Sequence, residues 1–140
     1  MTRRLWALAL VWAVPLGAQS APASLARVDS LVATGLTEEA RTELSAWWGK
    51  AAPRADRDDL QRGIWLRALL TVDPTQAAVD YQRLVVEYPG GAWSDRALLR
   101  LAQIAVARRD TVKARTQVRA LLRDYPASPV RAEEIGRAHV

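Results

Sequence analysis

The sequence predicts an all-α protein made of helix pairs repeated along the chain, with no sheet. Three observations lead there. One pattern occurs twice at an offset of 37 residues: Asp73-Pro74-Thr75-Gln76-Ala77 followed by Tyr81, Leu84, Tyr88 and Pro89, then Asp110-Thr111-Val112-Lys113-Ala114 followed by Val118, Leu121, Tyr125 and Pro126. Within each copy the steps from Ala77 to Tyr88 and from Ala114 to Tyr125 are four, three and four, which is one face of an α-helix. Ala, Leu and Arg, all strong helix formers, dominate a chain that has no Phe and little clustering of β-branched residues. A period of this size changes the expected architecture, because each unit must hide its apolar stripe against the next.

The chain opens with a short basic start, Met1-Thr2-Arg3-Arg4. Residues 5–14 are continuously apolar, and a small-residue stretch from Pro15 to Ala23 follows. That order predicts a secretory signal peptide over 1–23, and the apolar run is short for a membrane span. Cleavage after Ala18, Ser20 or Ala23 would follow. With no Cys in the chain, lipid attachment at a cysteine is excluded, as are disulfides, a thiolate nucleophile and cysteine metal sites. In a Gram-negative cell the mature protein would be soluble in the periplasm. The formal charge of +5 falls to +3 once Arg3 and Arg4 leave. A charge of that size serves solubility and does not by itself point to nucleic acid.

The first helix is expected over 24–34, with Leu25, Val28, Leu31 and Val32 on one face and Gly35 free to take the left-handed conformation that ends it. Thr37 is the expected N-cap of the second, with Glu38 and Glu39 at its positive end. That helix runs to about Trp48 and breaks at 49–53, where Pro53 cannot continue a helix. The third is expected over 56–71. Asp73 caps the fourth, Pro74 takes its first position, and Gln76 sits where a capping box wants it. The fourth ends at Tyr88-Pro89 and Gly90-Gly91 turns the chain. The fifth is expected over 92–108, with Leu98, Leu101, Ala102 and Ala105 inward. Asp110 caps a sixth that stops before Pro126, and a seventh would start at Val130. The offset reaches back to Ala40 and Leu44, so three units are expected at about 24–53, 54–90 and 91–127. Residues 134–140, Glu-Ile-Gly-Arg-Ala-His-Val, resemble the conceptual translation of a sequencing-library adapter. On that ground 133–140 is expected to be a non-native tail, with a natural chain continuing beyond it.

These residues resemble the tetratricopeptide repeat. Its apolar, small, Ala, aromatic and Pro positions correspond to Leu98, Leu101-Ala102, Ala105, Ala114, Val118 and Pro126 in the last unit. In the middle unit they correspond to Gln61, Ile64-Trp65, Ala68, Ala77, Tyr81 and Pro89. Trp65 stands where a small residue is usual, and Val72 and Arg109 where Gly is usual. The resemblance covers 24–132 and implies a right-handed α-solenoid of about three units, C-terminally truncated. Ala77, Tyr81, Leu84, Tyr88, Pro89, Leu98, Leu101, Ala102, Ala114, Val118, Leu121, Tyr125 and Pro126 would form the repeat packing. The Tyr-Pro ending with its spacer is similar to that of bacterial envelope proteins, such as the periplasmic Tol-Pal coordinator and the lipoprotein of the outer-membrane protein assembly machine.

The repeat resemblance also implies a site. A groove lined by the first helix of each unit would expose Asp59, Arg62, Leu66, Leu69 and Leu70, then Arg96, Leu99, Gln103, Val106 and Ala107. Apolar residues framed by Arg and Gln suit an extended or helical peptide. The Lys and Asn pattern that grips a terminal carboxylate is missing from these positions. No catalytic constellation stands out: the single His, His139, lies in the expected tail, and Asp58-Asp59 and Glu38-Glu39 suit helix starts. No cofactor or metal is expected. Arg115, Arg119 and Arg123 form a basic stripe on the sixth helix, either a solvated face or a contact for an anionic surface. Trp47, Trp48 and Trp93 are expected to pack rather than to serve as stacking platforms. The function expected is a non-catalytic protein-binding scaffold of the periplasm or envelope, with a protein or peptide partner and no nucleic acid. The alternatives are a structural module that positions a further cell-wall-binding domain, and a piece of an enzyme whose active domain lies beyond.

Overall fold

The computed structural model of the chain describes residues 23–130. The expected signal segment up to residue 22 and the expected tail over 133–140 lie outside the described residues. Among the described residues six α-helices follow one another: α1 (Leu25–Ala33), α2 (Thr37–Lys50), α3 (Arg57–Leu70), α4 (Pro74–Glu87), α5 (Ser94–Ala107) and α6 (Thr111–Asp124). A 3-10 turn at Ala52–Arg54 separates α2 from α3, where Pro53 takes an N-terminal position. The described residues contain no strand, and the helices form an α-solenoid of three pairs.

The period shows in the helix ends. α2, α4 and α6 start at Thr37, Pro74 and Thr111 and each runs for 14 residues. α1, α3 and α5 end at Ala33, Leu70 and Ala107. The first pair therefore keeps the register although its sequence matches the others poorly and it lacks their Tyr-Pro ending. α1 is shorter at its start, with 9 residues against 14.

Local chemistry sets most of these boundaries. Ser24, Asp56 and Asp110 each accept the N–H three residues on, at 3.2, 2.8 and 2.9 Å, and Asp73 accepts that of Thr75 at 2.7 Å. Each cap satisfies a donor the helix leaves orphaned. Among the described residues no hydrogen bond from Gln76 closes the expected capping box. Thr37 is not a cap: α2 starts with it, and Leu36 is the capping residue with no side-chain bond. The reason is the tight joint. Leu36 donates its N–H to Leu31 O and Gly35 to Val32 O, which is the Schellman ending of α1 with Gly35 at φ +78°. Leu36 thus closes one helix and opens the next.

The same joint recurs between α5 and α6 with a costlier residue. Asp110 donates to Ala105 O and Arg109 to Val106 O, and Arg109 takes φ +60°, a conformation that disfavours any residue with a Cβ. Between α3 and α4, Thr71 leaves the helix in extended conformation instead. α5 begins at Ser94 rather than near residue 92, because Gly91 N–H bonds Tyr88 O and Ser94 N–H bonds Gly91 O, extending the turn. Gly91 is needed for space: a Cβ there would lie 2.1 Å from Gln61 Oε1 and 2.9 Å from Tyr88 O. The buried Ser94 hydroxyl donates to Tyr88 O at 2.7 Å and Leu84 O at 3.2 Å, tying α5 to the end of α4.

One core runs through the first two pairs into α5, centred on Val28, Leu44, Ile64, Leu84 and Ala97. A smaller cluster joins Leu98, Leu99, Leu121 and Val130 at the end of the array. Of the expected packing residues, Ala77, Tyr81, Leu84, Tyr88, Leu98, Leu101, Ala102, Ala114 and Leu121 are buried. Val118 and Tyr125 are half-buried, while Pro89 and Pro126 are exposed and mark helix ends rather than fill space. Trp65, in a position usually small, is accommodated by stacking on Trp93 at 5.3 Å and tilting against Tyr81 at 5.5 Å. Trp47 and Trp48 meet edge to face at 5.1 Å.

Candidate functional site

The expected groove residues lie on α3 and α5, the first helices of the second and third units, and the surroundings of the two differ. α3 packs against α1, α2 and α4, whereas α5 packs against α4 and α6. Leu66 is only 1% exposed and belongs to the core, so it offers no surface to a ligand. One repeat on, Gln103 takes the equivalent position and is half-buried. Leu70 is also buried, and its carbonyl accepts from Arg41 Nε at 2.9 Å. Leu69 is half-buried and Asp59 exposed. Arg62 is half-buried and ion-paired across 33 residues with Asp29 of α1, at 2.8 Å from Nε. Arg96 is exposed and lies over the Trp93 ring at 5.0 Å.

Leu99, Gln103, Val106 and Ala107 are brought together. With Ala102 and Val118 they line a cavity of about 410 Å³. Gln103 and Ala107 also border a second, of about 300 Å³, between the α3–α4 joint and α5, with Thr71, Val72, Tyr81 and Arg100. A third, of about 470 Å³, lies between α2 and α3 and is lined by Arg41, Leu44, Ser45, Trp48, Arg67 and Leu70 among others. Leu44, Tyr81 and Val118 each line one of these cavities and are 37 residues apart. Two of the cavities thus lie at the joints between successive units, and the other lies within the third unit, between α5 and α6. The sequence pointed to Tyr81 and Val118 only as packing residues, and to Arg41, Ser45, Trp48 and Arg67 not at all as site residues. The register that Leu44 and Tyr81 share with Val118 was the available signal.

The polar groups along this face are held firmly. Arg67 binds Asp80 through two bonds of 2.7 and 2.6 Å and lies over the Trp48 ring at 4.5 Å. Arg100 donates to Gln103 Oε1 at 3.2 Å. Burial pushes the Tyr81 phenol above its ordinary value, and the nearby Arg100 guanidinium opposes that shift. Rigid polar rims around apolar floors are the chemistry of side-chain recognition. Among the described residues no three His, Cys, Asp or Glu side chains converge as a metal site would. No described helix is long and apolar enough to cross a membrane.

The tetratricopeptide repeat family matches residues 96–128, the span of α5, α6 and the turn after them. No curated protein and no solved structure matches the chain. The match and the six-helix array together support a tetratricopeptide-like repeat protein, and repeats of this kind generally mediate protein–protein interaction.

Proposed function

We propose that this chain is a non-catalytic protein-binding scaffold of the periplasm or cell envelope. It holds a peptide or protein segment along the face where α1, α3 and α5 follow one another. The observation that carries this reading is the series of cavities along the array, two at joints between units and one between α5 and α6, with Leu99, Gln103, Val106 and Ala107 gathered around the last. Apolar floors spaced by a repeat accept alternate side chains of one segment, while Arg and Gln at the rims orient its backbone and polar groups. The envelope setting is supported by the basic start, apolar run and small-residue stretch over 1–23.

A photo-reactive amino acid at Val106, compared with one at Arg115 on α6, tests the binding face. Discrete protein adducts from position 106 and not from 115 are expected in envelope extract. Equal adducts from both positions, or recovery of cell wall alone, would refute the groove. The compartment is tested separately by fusing an export-dependent phosphatase after residue 130. An inactive reporter would remove the envelope assignment and leave the groove reading standing.

A further inference from the structure

The charge of this array is unevenly divided. Residues 24–53 hold three basic and four acidic side chains, and residues 54–90 hold five and six, so each unit is close to neutral. Residues 91–127 hold eight basic and three acidic, a surplus of five positive charges on the third unit. Ion pairing sharpens the contrast. The first two units contain the pairs Arg27–Glu43, Arg41–Glu38, Arg62–Asp29, Arg67–Asp80 and Arg83–Glu87. In the third unit Arg123 pairs with Asp124. Asp110 is occupied capping α6, and Asp95 accepts from Ser128 Oγ at 2.6 Å. Among the described residues, neither Arg96 nor Arg100 has a carboxylate within ion-pair distance.

The change of sign falls on the binding face. Asp59 on α3 and Arg96 on α5 occupy the same repeat position, and both are exposed. Arg62, neutralised by Asp29 in the second unit, gives way to Leu99 in the third, and Gly63 gives way to Arg100. Of the three first helices, α5 alone among the described residues offers two exposed guanidiniums one helical turn apart with no carboxylate at ion-pair distance. Arg100 bonds Gln103, which lines the cavity floored by Leu99, Val106 and Val118.

Resting on the groove reading above, we propose that the bound segment is an internal acidic stretch of a protein with at least one apolar side chain. Its carboxylates meet Arg96 and Arg100 and its apolar side chain enters the cavity between α5 and α6. Residues four apart on a helix stand about 6 Å apart at Cβ, which suits two acidic side chains better than one chain terminus. The near-neutral first two units and Asp59 turn the acidic end of the segment toward the third unit. Complementary charge of this kind acts on encounter rate and on choice of partner.

The test uses the full chain and three labelled, C-terminally amidated peptides of equal length, each with two Leu and with Glu, Gln or Lys elsewhere. Fluorescence anisotropy should show the Glu peptide binding at least ~10-fold tighter than the Gln peptide, with an advantage that shrinks as salt rises. The double substitution Arg96→Glu/Arg100→Glu should remove that advantage, and the milder Arg96→Gln/Arg100→Gln most of it. Arg115→Glu/Arg119→Glu makes the same change of net charge on α6 and should alter affinity by no more than ~3-fold, because exposed charges away from the bound segment are screened. All three variants change exposed residues, and unchanged thermal melts confirm folding.

Equal losses from the Arg96/Arg100 and Arg115/Arg119 variants would overturn the proposal in favour of bulk attraction. Equal binding of the three peptides, abolished by Val106→Arg, would overturn the acidic preference while sustaining the groove. No peptide binding at all would overturn both. Tighter binding of oligothymidylate or of phosphatidylglycerol vesicles, dependent on Arg96 and Arg100, would assign the surface to a nucleic acid or a lipid instead.

Discussion

Replacing Gly63 by Ala opposes two effects whose sizes the structure sets. Gly63 is buried in α3, and an added Cβ would lie 2.5 Å from Trp47 Cζ3 and 2.9 Å from Cη2. Ordinary carbon contacts lie at about 3.5–4.0 Å, so the ring or the helix must move by roughly 1 Å. Trp47 is 4% exposed and braced edge-on by Trp48, which leaves the ring little room. Overpacking of this kind costs about 1–3 kcal/mol, while Ala in place of a helical Gly returns at most about 1 kcal/mol. A 2.5 Å approach to a braced ring places the cost in the upper part of that range, at about 2–3 kcal/mol, so a net loss of about 1–2 kcal/mol is expected. Gly49, near the end of α2, is the internal control, because an added Cβ there meets nothing within 4 Å. Gly49→Ala should gain up to about 0.5–1 kcal/mol.

The two substitutions should therefore have opposite signs in urea melts followed by far-ultraviolet circular dichroism. A cycle completes the test. Leu84 and Leu121 stand at the Trp47 position in the later units, and Arg100 stands at the Gly63 position. Trp47→Leu should absorb much of the cost of Gly63→Ala, giving a coupling of about 1 kcal/mol. A Gly63→Ala protein as stable as its parent, or additive effects of the pair, would refute the seating of Trp47 beneath α3.

Three further outcomes are expected. Leu84→Ala should cost about 4 kcal/mol and Leu121→Ala about 2–3 kcal/mol in the same melts, since Leu84 is fully buried inside the main core and Leu121 lies in the small end cluster; equal costs would show that the end closes as tightly as the middle. Arg109→Gly should raise stability by about 1 kcal/mol, because it relieves a side chain held at φ +60°, and a loss would mean that Arg109 makes a contact worth more than that relief. The buried Tyr81 phenol ionises less readily in the folded than in the unfolded chain. The unfolded state then loses its proton first, so stability contributed by this group holds below about pH 10 and falls as pH rises above it. Tyr81→Phe should flatten that alkaline slope, and an unchanged slope would assign it elsewhere.

Much of the fold could be read along the chain because it is set locally. Asp56, Asp73 and Asp110 announce helix starts by capping chemistry, and the four-three-four spacing of Ala77 to Tyr88 names the buried face. Thr37 shows where local reading stops. Its residue type suits a cap, but the Schellman joint at Gly35 leaves that place to Leu36. Trp65 looked too large for its position and fits because Trp93, 28 residues later, stacks on it. The candidate site was legible only in the third unit. Val106 is 63% exposed and Leu66 1%, although the two lie on equivalent helices and both were expected to line the groove.

By itself the sequence determined the repeat, its 37-residue period, the helix type and most helix ends, since each depends on residues within a turn or two of one another. It also determined the concentration of positive charge in the third unit. Only the tertiary structure decided which first-helix residues remain accessible, because burial depends on what packs against a helix from outside its own unit. The same holds for the cavities, which open between packed helices, and for Arg62, whose charge is spent on an aspartate in α1. Pairing across 33 residues leaves no mark on the local pattern, so α3 and α5 read alike until their neighbours are in place.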